Sequence, residues 1–263
     1  MPHVANLEQR KSKNMRIKGL FGSKTDIGLV RPTNEDKALS LIDADGNILL
    51  CVCDGMGGTR KGDMASRIAV DVISSAFNSK RTWMFSHQVT NWIEKIIKQI
   101  NFSVFNESED TESFKGMGTT LVMAIFFKEN IYIANVGDSR CYMLDEDKVI
   151  QLTRDQTYVE YLASHDHIKE DEKLTSKDRH ALMNFIGKSK NVDFEFKMIK
   201  NPRKTVLLCT DGLYNNASNK QIFSALNSDE RLDQKISTLI GIAKANGGTD
   251  NIAVSIWEPQ KND

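Results

Sequence analysis

Five acidic islands interrupt this chain, each where an apolar run gives way to glycine or polar residues: Arg31-Pro32-Thr33-Asn34-Glu35-Asp36, Asp54-Gly55-Met56-Gly57-Gly58, Gly137-Asp138-Ser139-Arg140, Asp211-Gly212 and Gly247-Gly248-Thr249-Asp250-Asn251. Carboxylates at the ends of core strands can converge on one spot although they are far apart in sequence. Two of them held ~4 Å apart repel by about 4 kcal/mol at an effective dielectric of ~20. A fold that gathers several needs a cation to offset that repulsion, and all-oxygen ligands select hard ions such as Mg²⁺ or Mn²⁺. The islands therefore predict a metal centre, and their number predicts a binuclear one.

The rest of the composition narrows the class. A chain of 263 residues suffices for one large domain or two small ones, and its 40% hydrophobic and 27% charged content is that of a soluble globular protein. Lys+Arg and Asp+Glu balance at 35 each, which removes a bulk electrostatic case for nucleic-acid binding. No apolar stretch approaches the ~20 residues of a membrane-spanning helix, and the basic N-terminus lacks the apolar block of a secretory signal. Residues 1–15 read as a disordered extension. Cys51, Cys53, Cys141 and Cys209 lie in strand-like runs with no zinc spacing, so buried free thiols and a cytoplasmic location are expected.

The apolar run 48–53 reads as a strand buried on both faces, ending at Asp54. Apolar pairs at 64/65, 68/69, 72/73 and 76/77 predict a helix over 62–77, and a second stripe predicts another over 86–105. β-rich runs follow at 119–127, 130–136, 140–144 and 149–152, then a short helix at 158–164 and a buried strand at 205–210 that ends at Asp211. Helices at 219–226 and 232–245 and a strand at 251–257 close the chain. Four prolines, no Gly/Ser-rich linker and no repeat argue against independent domains. Consecutive strands with helices in pairs before and after them fit antiparallel sheets covered by helices, an α+β arrangement in one domain.

Taken singly, Asp54 and Asp211 are also what a strand-terminating Asp-Gly turn supplies. Together with Glu35, Asp36 and Asp250 they read as a site. Gly55, lacking a Cβ, can bring its carbonyl close to an ion. Arg31 is either a counter-ion to this cluster or a fork for phosphate, and Arg140 presents the same choice, with the structural ion pair preferred. No histidine lies in an island, and His165-Asp166-His167 reads as surface. There is no Walker A loop and no nucleophile elbow.

In order, identity and spacing the islands resemble the metal-dependent type 2C Ser/Thr protein phosphatases, in their compact bacterial form. The carriers are Thr25-Asp26-Ile27-Gly28 leading into Arg31 and Asn34-Glu35-Asp36, then Gly116-Met117-Gly118-Thr119-Thr120 and Asn135-Val136-Gly137-Asp138-Ser139-Arg140, with the Asp54, Asp211 and Asp250 islands. The resemblance implies a four-layer α/β/β/α sandwich: two antiparallel sheets flanked by helix pairs. It implies one catalytic domain over 16–258, with a flap at about 153–189 bordering the cleft. It further implies dephosphorylation of phosphoserine and phosphothreonine by in-line attack of a metal-bridging hydroxide. Asp54 would bridge two Mn²⁺ or Mg²⁺ ions. Asp211 and Asp250 would complete one site, and the Gly55 carbonyl and waters held by Glu35 the other. Asp138, with Asp211, matches the position of a third, weaker ion. Arg31 would hold the substrate phosphate, while Asp36 and Asn251 would support the ligands. Phosphorylated proteins, including a bacterial-type Ser/Thr kinase and its substrates, are the implied partners of a monomer that binds neither nucleic acid nor membrane.

Two departures bear on mechanism. Met56 stands where many eukaryotic relatives carry a histidine as candidate general acid, and Asp155-Gln156-Thr157 replaces the usual Asp-His-Ser. A catalytically silent binding domain and a hydrolase of small phosphate esters are the competing readings. The intact carboxylates argue against the first, and only substrate profiling separates the second.

Overall fold

A computed structural model describes residues 19–58, 60–165, 181–200 and 203–260. The expected N-terminal extension and the middle of the flap, 166–180, lie outside the described residues.

Two five-stranded sheets form the body. One is ordered β1(Gly19–Asp26), β12(Ile252–Pro259), β11(Val206–Cys209), β8(Arg140–Leu144) and β9(Val149–Gln151). The other runs β10(Glu195–Lys200), β7(Asn130–Val136), β6(Leu121–Phe127), β3(Ile48–Cys53) and β2(Lys37–Ile42). A two-stranded ribbon pairs β4(Gly55–Met56) with β5(Gly118–Thr119). Every pairing among the described strands is antiparallel.

The apolar run of β3 explains the layering. Successive side chains alternate between faces, so Ile48, Leu50 and Val52 enter the core between the sheets with Val122, Leu208 and Trp257. Leu49, Cys51 and Cys53 point the other way, into a second core under helices α1(Lys61–Ser79) and α2(Ser86–Asp110). Helix α1 contributes Ala65, Ala69, Ile73 and Phe77, one full stripe at four-residue spacing, while Met64, Ile68, Val72 and Ala76 flank it partly buried. A third core lies on the outer face of the first sheet. There Leu207, Cys209 and Val254 meet Ile222 and Leu226 of α5(Asn219–Leu226), and Ile236 and Leu239 of α6(Leu232–Ala245). Three apolar interfaces separate four layers. Each fully buried Leu, Ile or Phe contributes about 1.5–3 kcal/mol relative to exposure.

Helix α3(Tyr158–Ser164) falls at the expected place, with Thr157 capping it by accepting the Glu160 N–H. Four strands, β1, β2, β10 and the two-residue β4, had not been expected, nor had α4(Asp211–Tyr214), a single helical turn that follows β11. All four cysteines are free and buried, as their strand-like settings predicted.

Candidate active site

The register brings the acidic islands to one end of the sandwich. Asp26 of β1 pairs with Ile252, Lys37 of β2 with Cys53, Leu121 of β6 with Val136, and Arg140 of β8 with Cys209. The loops at these positions therefore emerge together and line a cleft of about 1580 Å³. The fold thus brings Arg31, Glu35, Asp54, Gly55, Asp138, Asp211, Asp250 and Asn251 to one cleft, with Asp36 buried behind its wall.

Each carboxylate is held by the backbone beneath it. The Asp54 peptide is fixed on both sides: its N–H donates to Thr120 Oγ1 at 2.9 Å, and its carbonyl accepts from the Thr120 N–H at 2.9 Å and from Thr119 Oγ1 at 3.0 Å. Gly55 sits against the first turn of α1, where an added Cβ would lie 2.1 Å from the Gly62 carbonyl oxygen. Only glycine admits that approach. Gly137 turns the chain at φ +101° before Asp138. Asp211 opens α4, and Asn215 donates to its Oδ2 at 3.1 Å.

Two hydroxyl and amide contacts went unforeseen in the sequence. Thr210 Oγ1 donates to Asp36 Oδ2 at 2.7 Å and accepts the Ala253 N–H, so Asp36 is fixed to the residue before Asp211. Asn251 serves the backbone of the first island: its Oδ1 accepts the Glu35 N–H, and its Nδ2 donates to the carbonyls of Ile27 and Thr33, each at 2.9 Å. Its own N–H reaches Asp250 Oδ1 at 2.8 Å. A threonine at a strand end was the available signal for the first contact, but nothing local signalled the second.

Arg31 donates to Asp250 Oδ2 at 2.7 Å and stays half exposed. Arg140 is the structural pair expected of it. Its Nε and Nη2 engage Asp155, Nη1 donates to the Tyr142 hydroxyl, and its guanidinium lies 3.6 Å over the Tyr214 ring. Met56 lines the cleft. His165 is exposed at the end of α3, while Asp166 and His167 lie outside the described residues.

The electrostatics show what the cluster lacks. Burial, then repulsion from Asp36, Asp211, Asp138 and Asp250, pushes the Asp54 carboxyl well above the ordinary carboxylate range. Burial, with Asp211 and Asp250, does the same to Asp36 against the bond from Thr210. Burial and then Asp211 and Asp155 raise Asp138 to about 7. Burial raises Glu35 against a bond from the Gly62 backbone. Burial pulls the Arg31 guanidinium down, but Asp250, Asp211 and Asp54 more than offset it, so it is raised.

This donor set fits hard divalent cations in chemistry: carboxylate and carbonyl oxygens only, mutually repelling, in a partly dry cleft. Among the described residues no three acidic, histidine or cysteine groups hold an ion as they stand, and Arg31 engages one carboxylate.

Comparison with known proteins settles the family. Residues 32–251 match the family model described as protein phosphatase 2C. The chain belongs to that family. It is 34% identical over 236 residues to the serine/threonine phosphatase stp of Listeria innocua, covering 89% of this chain and 94% of the relative. It is 30% identical over 241 residues to the protein phosphatase PhpP of Streptococcus pneumoniae, covering 91% and 97%. The crystal structure of the serine/threonine phosphatase Stp1 from Staphylococcus aureus superposes with a TM-score of 0.88 at 29% identity, over 97% of this chain and 100% of that one. This protein is thus a metal-dependent Ser/Thr protein phosphatase of the bacterial type 2C group, a family that works with Mn²⁺ or Mg²⁺. No helix among the described residues of the phosphatase is long and apolar enough to cross a membrane.

Proposed function

We propose that the cleft would hold a pair of Mn²⁺ or Mg²⁺ ions, with Asp54 as a ligand. Asp211 and Asp250 complete one site, while the Gly55 carbonyl and Glu35, acting through water, serve the other. Asp138 with Asp211 takes a third, weaker ion. The observation that carries this reading is the convergence of Asp54, Asp138, Asp211 and Asp250 on one cleft, with Asp54 raised by burial and by its acidic neighbours.

When bound, such ions supply a water whose pKa falls towards ~7 and positive charge for the phosphoryl oxygens. The chain's own residues do the rest. Arg31 captures the phosphate with its planar fork, exchanging its bond to Asp250 for bonds to phosphate oxygens. The Asn251 contacts to Ile27, Thr33 and Glu35 fix the loop that carries Arg31, so the guanidinium is positioned before substrate arrives. Asp36 stays behind the wall and holds Thr210, and with it the start of α4. The attacking water enters in line, opposite the serine or threonine oxygen. Met56 has no proton to give, so the side chain at that position is not the acid for the leaving oxygen.

Phosphoproteins of a bacterial-type Ser/Thr kinase are the proposed substrates of a monomeric, single-domain, cytoplasmic enzyme that has no nucleic-acid partner; the Stp and PhpP relatives support the phosphoprotein part of this reading. Substrate profiling tests it. The expected result is kcat/KM for phosphothreonine and phosphoserine peptides at least ~100-fold above that for small metabolite phosphate esters. Equal values for both classes would favour a small-ester hydrolase.

A further inference from the structure

Gln156 lies outside the acidic islands, yet it joins two parts of the site. Its Oε1 accepts the Gly137 N–H at 2.9 Å and the Asn184 side-chain amide at 2.8 Å, so both lone pairs of that oxygen are used. Its Nε2 donates to the Asn135 carbonyl at 3.3 Å. The Gln156 backbone repeats the pattern, donating its N–H to the Gly137 carbonyl and accepting the Met183 N–H. One side is therefore the turn whose next residue is Asp138. The other is the segment 181–186, which continues to a bridge between Thr119 and Ile186 and places Leu182 and Phe185 on the cleft wall.

From this geometry we infer that Gln156 is a positioning residue: it fixes the peptide before Asp138 and fastens the 181–186 wall to that same peptide, so the wall and the carboxylate move as one. The inference rests on the place given to Asp138 in the active cleft above. The chemistry of the amide is what the junction requires. An uncharged carbonyl oxygen takes two N–H donors while the adjoining NH₂ serves a carbonyl. A carboxylate keeps both acceptances but sets an oxygen against the Asn135 carbonyl. A neutral imidazole has one acceptor for two donors. A thioether of the same length satisfies neither, and it leaves the Gly137 N–H without its side-chain partner next to a nearly buried aspartate.

The test compares Gln156→Met with Gln156→Glu in the full-length protein. Amide hydrogen exchange, read in chelator, reports the latch without catalysis. Steady-state kinetics with Mn²⁺, on a phosphothreonine peptide and on an aryl phosphate, report Asp138. For Gln156→Met, exchange at the Gly137 backbone amide, which donates to the Gln156 side chain, is expected to accelerate about tenfold, the equivalent of one lost hydrogen bond. The same variant is expected to lose about tenfold in kcat on both substrates, with KM for the aryl phosphate within about twofold. Gln156→Glu is expected to keep exchange and kcat within about threefold of the parent. Accelerated exchange with unchanged kcat would reduce Gln156 to a structural link and overturn the inference, as would unchanged exchange. If Gln156→Met does not fold, Gln156→Glu decides: a loss in both readouts as large as tenfold contradicts the ranking by acceptor count. An inactive parent enzyme would count against the phosphatase site itself, while the exchange readout would still decide the latch.

Discussion

Replacing Asn251 with alanine should loosen the phosphatase at the loop that carries Arg31. The side chain is nearly buried and makes three hydrogen bonds at 2.9 Å, accepting from the Glu35 N–H and donating to the Ile27 and Thr33 carbonyls. Hydrogen bonds contribute about 1 ± 0.5 kcal/mol each, and part-buried groups left without partners cost further, so the loss should be about 2–4 kcal/mol. For a protein of this size ~1 kcal/mol moves Tm by about 2–4 °C, which sets the expected drop at about 5–15 °C. The assay is thermal unfolding in chelator, so that no ion contributes to the difference. Activity on a phosphopeptide at a temperature where the variant is folded should also fall, through KM more than kcat, because the Arg31 loop is no longer fixed. An alanine variant melting within about 2 °C of the parent would refute the claim that Asn251 pins this loop.

Asp54→Asn should abolish metal-dependent turnover while the protein still folds, checked by phosphate release and circular dichroism; unchanged turnover removes Asp54 from the site. Arg31→Ala should raise KM for phosphopeptides at least ~10-fold with a smaller change in kcat, and a large fall in kcat at constant KM contradicts phosphate capture. Lys80 and Asp43 form an ion pair at 2.6 Å with side chains only 5% and 7% exposed, the ammonium lying 3.8 Å over Trp83; Lys80→Met should cost about 1–3 kcal/mol, because Asp43 loses its charged donor but keeps the bonds from Asp45 and Asn47, and denaturant unfolding that finds no loss would reject the pair as a stabilising contact. In the metal-free protein Asp138 sits at about 7 against an ordinary 3.8. Between those values the folded state holds a proton that the unfolded chain releases, so stability falls as pH rises through that window. Melting in chelator should therefore be lower at about pH 8 than at about pH 5.5, and Asp138→Asn should reduce the difference without removing it, because Asp54 and Asp36 are raised as well.

How far the sequence revealed these arrangements depended on whether a feature was periodic. The six apolar residues of β3 and the four-residue stripe of α1 are dictated by burial on known faces, and both were legible. Strand β10 was not: it is a sheet edge, and its side chains are mostly exposed, Phe196 and Met198 among them, so no alternation marks it. Strand β1 has only Phe21 and Gly22 buried, and α4 is too short to show a period. The site was legible as carboxylates at strand ends. Its fastenings were not, because Asn251 reaches Glu35 across 216 positions and Thr210 reaches Asp36 across 174. Gln156 drew notice only as a departure from the usual histidine, and its hydrogen bonds to Gly137 and Asn184 appear only when the fold has closed.

The central claim is that this cleft works through divalent ions held by its acidic islands. Release of phosphate from a phosphothreonine peptide, measured with Mn²⁺, with Mg²⁺ and with chelator, tests it most directly. The account predicts turnover with at least one of the ions and none in chelator. Turnover that survives complete chelation, or folded protein that is inactive with both ions, would contradict it.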